Sequence, residues 1–392
     1  MKIVVVGTRG FPGVQGGIEK HCEHLYPNLV KLGCDITIFT RMDYVSPSPH
    51  TYEGISLIPI SCPRNKFLEA FIHTFKGVLK AQSLKPDILH IHAIGPSFFA
   101  PLARALGTKV VVTHHGPDYK RKKWPLPAKM FLKFCERIGV TFASGVIAIA
   151  DNVAADIKKK YGRVVTVIPN GVGIPVLADT DIALQRFGLQ KRKYILAVGR
   201  FVPEKGFEDL IEAFNRLQAT PNHSDESEAT GQASHKLQVE NWELVIVGSA
   251  DHEDKYSTDL KEKAGKNSNI VLTGFLTGQP LQELYSYAGL FVLPSYYEGL
   301  PIVLLEAMSY GLSCITSDIP ANRNVELSED RFFKAGDIKL LAEKIKEFIK
   351  KPWEEEDRRK QVSLISEKYN WRKIADKTLK VYKRIALKCS ET

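Results

Sequence analysis

Short apolar runs rich in Val and Ile recur along the whole chain, each followed by a turn and then a helical stretch. "KIVVV", "DITIFT", "ISLIPI", "DILHIH", "KVVVT", "GVIAIA" and "VVTVIP" occupy the first half, and "YILAVG", "ELVIVG", "NIVLTG", "LFVLPS" and "SCITSD" the second. Continuous apolar runs suit strands buried on both faces of a parallel sheet. Helices between them make the fold α/β and doubly wound. At 392 residues the chain is too long for one ordinary core. Pro, Gly and Asp cluster without helical period over Ile168–Thr180, so we expect a first domain over 1–172 and a second over 173–368. An amphipathic helix over 369–392 follows, with Trp371, Ile374, Leu379, Tyr382 and Ile385 on one face.

Composition narrows the class. No apolar run reaches the length of a membrane span, and "MKIVVVG" reads as a first strand rather than a signal peptide, so a cytoplasmic location is expected. Six cysteines include no C-x-x-C pair, which speaks against a zinc site or a disulfide framework. The net charge of +10 favours an anionic partner: nucleic acid, an anionic membrane surface or a phosphorylated small molecule. No nucleic-acid-binding module is recognisable, so we expect no nucleic acid as partner. The polar stretch over 218–241 has no period and reads as a loop.

Two segments carry chemistry in the second half. In "SYYEGLPIVLLEAMSYGLSCITSD" a helix is expected to start near Pro301 and stop at Gly311. The N–H groups of Leu300, Ile302 and Val303 would then make an anion site at a strand's carboxyl end. Glu306 lies in the apolar "IVLLEAM"; a buried carboxylate needs a partner, either ligand hydroxyls or a structural ion pair. In "AVGRFVPEKGFEDLIEAF", Arg200 follows a strand and Lys205 precedes a helix. They can clamp a diphosphate or form surface salt bridges, and spacing alone does not separate the two.

These segments, with "GFL" ahead of "ELYSYAGLFVLPSYYEGLPIVLLEAM" and an N-terminal G-G-x-E, resemble glycosyltransferase family 4 over nearly the whole chain. The resemblance implies the GT-B fold, two Rossmann-like domains facing a central cleft, with the last helix crossing back onto the first domain. It implies retaining transfer from a nucleotide-diphosphate sugar with no cofactor and no metal. Carried over by position, Glu306 meets the ribose hydroxyls, and Arg200 and Lys205 the diphosphate. Glu298 lies near the donor sugar, with the N–H groups of Gly299, Leu300 and Ile302 beside it. Phe275 and Leu276 meet the base, and Gly16 and Gly17 approach the diphosphate. His115 sits near the sugar's primary hydroxyl, with His114 adjacent; His90 and His92 end another strand. The acidic "ADHEDKY" reads as a solvated loop rather than a metal site.

On the acceptor side, "RNKFLEAFIHTFKGVLKAQSLK" and "YKRKKWPLPAKMFLKFCER" are basic and apolar together. Lys120, Arg121, Lys122 and Lys123 beside Trp124 point to an anionic membrane surface or a lipid diphosphate, against an apolar face that simply packs on the sheet. The first-domain pattern is similar to bacterial enzymes of surface-polysaccharide assembly, which implies a lipid-linked or oligosaccharide acceptor. A nucleotide-sugar epimerase of GT-B architecture is the rival. A nicotinamide oxidoreductase wants G-x-G-x-x-G after the first strand, and Gly7 is followed by Thr8, Arg9 and Gly10 instead.

Overall fold

A computed structural model describes residues 1–45, 50–63, 65, 68–120, 124–218, 241–251 and 253–387. Most of the 218–241 stretch, Arg64, Lys66, Phe67 and the basic run Arg121–Lys123 lie outside the described residues. The chain divides into two compact units. The first is Met1–Gly173 with Tyr297–Ile302 and Ile365–Thr392; the second is Ile174–Tyr296 with Val303–Leu364.

The first unit contains strands β1 (Lys2–Val6), β2 (Asp35–Arg41), β3 (Thr51–Tyr52), β4 (Ile55–Ile60), β5 (Ile88–His92), β6 (Val110–His114), β7 (Gly145–Ala148) and β8 (Thr166–Val167). They form one sheet in the order β3-β4-β2-β1-β5-β6-β7-β8, parallel except for β3. The β1 run explains why such strands look uniformly apolar. Ile3 and Val5 face a core with Leu25 and Leu29 of helix Gly17–Lys31 and with Trp371, Leu379 and Tyr382 of helix Trp371–Leu387. Val4 and Val6 face the opposite core with Val78, Ala103 and Val140 from three other helices. Helix Trp371–Leu387 is thus part of the first unit's interior.

The second unit contains β9 (Tyr194–Val198), β10 (Glu243–Val247), β11 (Ile270–Gly274), β12 (Leu290–Leu293), β13 (Cys314–Ser317) and β14 (Phe332–Phe333). Their order is β11-β10-β9-β12-β13-β14, all parallel. Ile195, Leu244, Ile246 and Val292 pack with Phe207, Leu210 and Phe214 of helix Phe207–Gln218 and with Leu341, Ile345 and Phe348 of helix Ile338–Lys350.

Strand order reverses direction between β1 and β5 in one sheet and between β9 and β12 in the other. Ligands of open parallel sheets bind outside the carboxyl ends at such switch points. At the first switch the backbone is tight: a Cβ on Gly7, which has φ +94°, would lie 2.2 Å from the His92 carbonyl oxygen.

The architecture is the doubly wound α/β pair expected, with local differences. "VVTVIP" yields only the two-residue β8, because it pairs on one side only and Val164 is 80% exposed. The two-residue strands β3 and β14 at sheet edges are too short to show a period, although β14 is two buried phenylalanines. The short segment Tyr297–Ile302 groups with the first unit although its sequence neighbours belong to the second. No helix among the described residues is long and apolar enough to cross a membrane.

Candidate active site

The second unit places its candidate residues around its switch point. Arg200 follows β9 and donates to the Asp251 carboxylate at 2.7 Å, on the loop after β10. Lys205 ends a short 3-10 turn, and its Cδ and Cε lie so close to Gly199 that a Cβ there would be about 3.2 Å away. Helix Ile302–Ser309 follows the loop after β12 and closes at Gly311, φ +69°, where Leu312 N–H donates to the Ala307 carbonyl in a Schellman pattern. Glu306 is half-buried rather than enclosed, and the Tyr285 hydroxyl donates to it at 3.3 Å, with the Tyr310 ring stacked on Tyr285. Burial alone therefore does not oblige this carboxylate to have a ligand partner, contrary to what the apolar sequence around it implies. Phe275, directly after β11, is 39% exposed, and Leu276 is half-buried beside it.

The acidic loop after β10 has structural work. Asp251 pairs with Arg200, Glu253 with Lys261, and Asp254 caps helix Lys255–Gly265 in a capping box with Ser257. Asp251 was legible only as part of a solvated loop, because its pairing with Arg200 spans 51 residues.

In the first unit, Glu298 and Gly299 lie on the segment that packs beside β6. A Cβ on Gly299 would lie 2.3 Å from the His115 carbonyl oxygen and 3.0 Å from Ile149 Cδ1. Asn170 holds the same segment: its Nδ2 donates to the Leu300 carbonyl at 3.1 Å, while its Oδ1 accepts from His21 Nδ1 at 2.9 Å. A Gly299→Ala variant is expected to push this segment off His115, at an overpacking cost of about 1–3 kcal/mol. A melting temperature lowered by roughly 3–10 °C checks it, and an unchanged one sinks the close-approach argument.

His115 opens a buried chain of hydrogen bonds. Its Nε2 and His92 Nδ1 are 2.9 Å apart, His92 Nε2 is 2.6 Å from the Tyr26 hydroxyl, and that hydroxyl is 2.9 Å from His90 Nδ1. His90 also meets Tyr382 at 2.6 Å and Thr113 at 2.7 Å. Burial, then the neighbouring imidazoles, hold His92 and His115 well below the ordinary histidine value, and burial takes His21 to about 4 and His90 to about 3. All four rings are neutral near pH 7. His114 points elsewhere: its Nε2 lies 2.8 Å from Glu136, which also accepts from Tyr119 and Tyr161.

The loop between β1 and helix Gly17–Lys31 is closed by Arg9, whose Nε donates to Glu19 at 3.1 Å and whose Nη2 donates to the Gln15 carbonyl. Gly16 and Gly17 sit at that helix start. Burial alone would raise the Glu19 carboxyl, but Arg9 outweighs it and holds it below its ordinary value. At the end of β2, Arg41 donates to Glu69 at 2.7 Å, and Tyr44 just after it donates to the same carboxylate at 3.1 Å.

On the acceptor side, helices Glu69–Leu84 and Leu126–Phe142 share an aromatic cluster, with Phe71 5.2 Å from Phe98 and 6.0 Å from Phe131. Around it Leu126 is 71%, Met130 64% and Leu68 51% exposed, and Phe134, at the cluster's edge beside Phe98, is 51% exposed. Lys76, Lys80 and Lys133 are exposed on the same two helices. Lys120 pairs with Asp156 at 3.3 Å, and Trp124 is half-buried.

Residues 15–174 match the model of glycosyltransferase family 4, and residues 179–371 match that of the group 1 glycosyl transferases. An uncharacterized glycosyltransferase of Methanocaldococcus jannaschii is 27% identical over 416 aligned residues, covering 98% of each chain. The Escherichia coli UDP-Gal:alpha-D-GlcNAc-diphosphoundecaprenol alpha-1,3-galactosyltransferase is 27% identical, covering 71% of this chain and 69% of that one. The solved sucrose-phosphate synthase of Thermosynechococcus elongatus superposes with a TM-score of 0.80 at 19% identity, covering 98% of both chains.

Proposed function

The chain belongs to the GT-B glycosyltransferases, and from that premise we propose that it moves a sugar, with retention, from a nucleotide-diphosphate sugar to a lipid-linked glycan in surface-polysaccharide assembly. Glu306 accepts hydrogen bonds from the ribose hydroxyls, and Phe275 and Leu276 meet the base. Arg200 and Lys205 neutralise the diphosphate as it leaves, so the transfer needs no metal. The Arg200 guanidinium already holds one oxyanion, the Asp251 carboxylate, in the geometry that a phosphate oxygen would take. Glu298, His115 and the N–H groups of Gly299, Leu300 and Ile302 receive the sugar, and Gly16 and Gly17 bring backbone to the phosphates. The acceptor oxygen bonds to the anomeric carbon on the face from which the phosphate departs. The departing phosphate oxygen takes the acceptor's proton.

The observation that carries the lipid-linked acceptor is the exposed apolar face on helices Glu69–Leu84 and Leu126–Phe142, with its lysines alongside. Such a face lies in an anionic interface with its side chains among the acyl chains and its cations at the headgroups. The protein is expected to float with phosphatidylglycerol vesicles and not with phosphatidylcholine vesicles. Replacing residues 120–123 by Gln removes about 1 kcal/mol per cation, and Leu126→Glu with Met130→Glu removes the apolar anchor. Flotation of both variants at wild-type levels would end the membrane reading without touching the transferase one.

A further inference from the structure

We propose that His21, His92 and His115 form a binding site for a divalent transition-metal ion of the Zn2+ class, and that this ion blocks transfer rather than supporting it. Among the described residues, these three bring one ring nitrogen each to within 4.8 Å of one another. His21 and His92 are buried and His115 is half-buried, which leaves a way in from one side.

The outer nitrogens of two rings are already engaged as a metal site requires. Asn170 Oδ1 takes the His21 Nδ1 proton, leaving Nε2 open, and the Tyr26 oxygen can take the His92 Nε2 proton, leaving Nδ1 open. The third ligand is His115 Nε2, 2.9 Å from His92 Nδ1. The proton now shared by that pair moves to His115 Nδ1, a change of tautomer that releases no proton. Nitrogens about 3.4 Å apart surround a tetrahedral ion with bonds of about 2.0–2.1 Å, so the shortest separation opens slightly and the longest closes. Three imidazoles leave a fourth position for water, the donor set that suits Zn2+ or Co2+.

Blocking rests on the role proposed for His115, because a ligating Nε2 is withdrawn from the sugar; binding itself does not. Chelator-treated protein is titrated with Co2+ alone. One equivalent is expected to give the visible d–d bands of a tetrahedral ion. His21→Asn and His92→Asn are each expected to abolish the bands, and Asn170→Leu to weaken binding about 10–100-fold. His50→Gln, on the surface, is expected to leave it unchanged. Absence of bands in the wild type, or bands retained by both folded histidine variants, overturns the site and leaves a hydrogen-bonded relay. In the transfer assay Zn2+ is expected to inhibit and a chelator to restore activity. Binding without inhibition keeps the ion site but overturns its blocking role, and with it the role of His115 in transfer.

Discussion

A Lys205→Ala variant is expected to fold like the wild type and to lose roughly 100- to 1000-fold in kcat, the usual consequence of removing one group that stabilises developing charge. The half-buried lysine stem lies across Gly199 at the start of the loop after β9, at the rim of the second unit's apolar cluster. Lys205→Arg returns a charge with a different shape and is expected to recover only part of the rate. Glu306→Ala acts elsewhere in the cycle. In the proposed site it removes the carboxylate that accepts hydrogen bonds from two ribose hydroxyls, and the donor KM is expected to rise about 10- to 100-fold. Nucleotide release and sugar transfer, measured together on proteins with wild-type melting curves, check both. Full transfer by a folded Lys205→Ala protein would remove that lysine from the diphosphate role.

The second large effect is a loss of stability in mild acid. His73 is fully buried on helix Glu69–Leu84, and burial, then the nearby Arg41 charge, lower it from 6.5 to about 3. The unfolded chain therefore takes up the proton first as pH falls. Stability is complete above pH 6.5 and declines progressively down to about pH 3. One such group costs about 2 kcal/mol by pH 5, a large part of an ordinary net stability. His21 and His90 act in the same direction, and Glu136 adds to the loss below pH 4.5. For Glu136, burial raises the carboxyl, but hydrogen bonds from His114 and Tyr161 outweigh it and hold it low. Urea melts at pH 7, 6 and 5 are expected to show a falling midpoint, and His73→Leu a shallower slope. A midpoint independent of pH over that range would contradict the assignment.

The sheets were readable because buried parallel strands leave an uninterrupted apolar signature: β1 feeds Ile3 and Val5 to one core and Val4 and Val6 to the other. Edge strands are short, which is why the two-residue β3 and β14 left no trace in the pattern and β8 was overestimated. The helix after β12 was readable from Pro301 and Gly311, since caps are local. The exposure of Glu306 was not, because it depends on what packs around an eight-residue helix. The histidine network was half visible. His90, His92, His114 and His115 end two strands and stand out, whereas His21, Tyr26, Asn170 and Tyr382 join them from distant elements. No spacing rule reaches across 149 or 292 residues of chain.

The first unit is built from both ends of the chain, and that has a consequence for synthesis in the cell. Its sheet is complete once Gly173 has been made, yet the helix that buries Tyr26 and hands a hydroxyl to His90 begins roughly 200 residues later. At about 5–20 residues per second the nascent sheet waits roughly 10–40 seconds with one face covered only by helix Gly17–Lys31. The second unit, contiguous apart from a six-residue segment, has no such delay. A chain released after Leu364 but before the last helix therefore carries a complete second unit and a first unit that is the aggregation hazard.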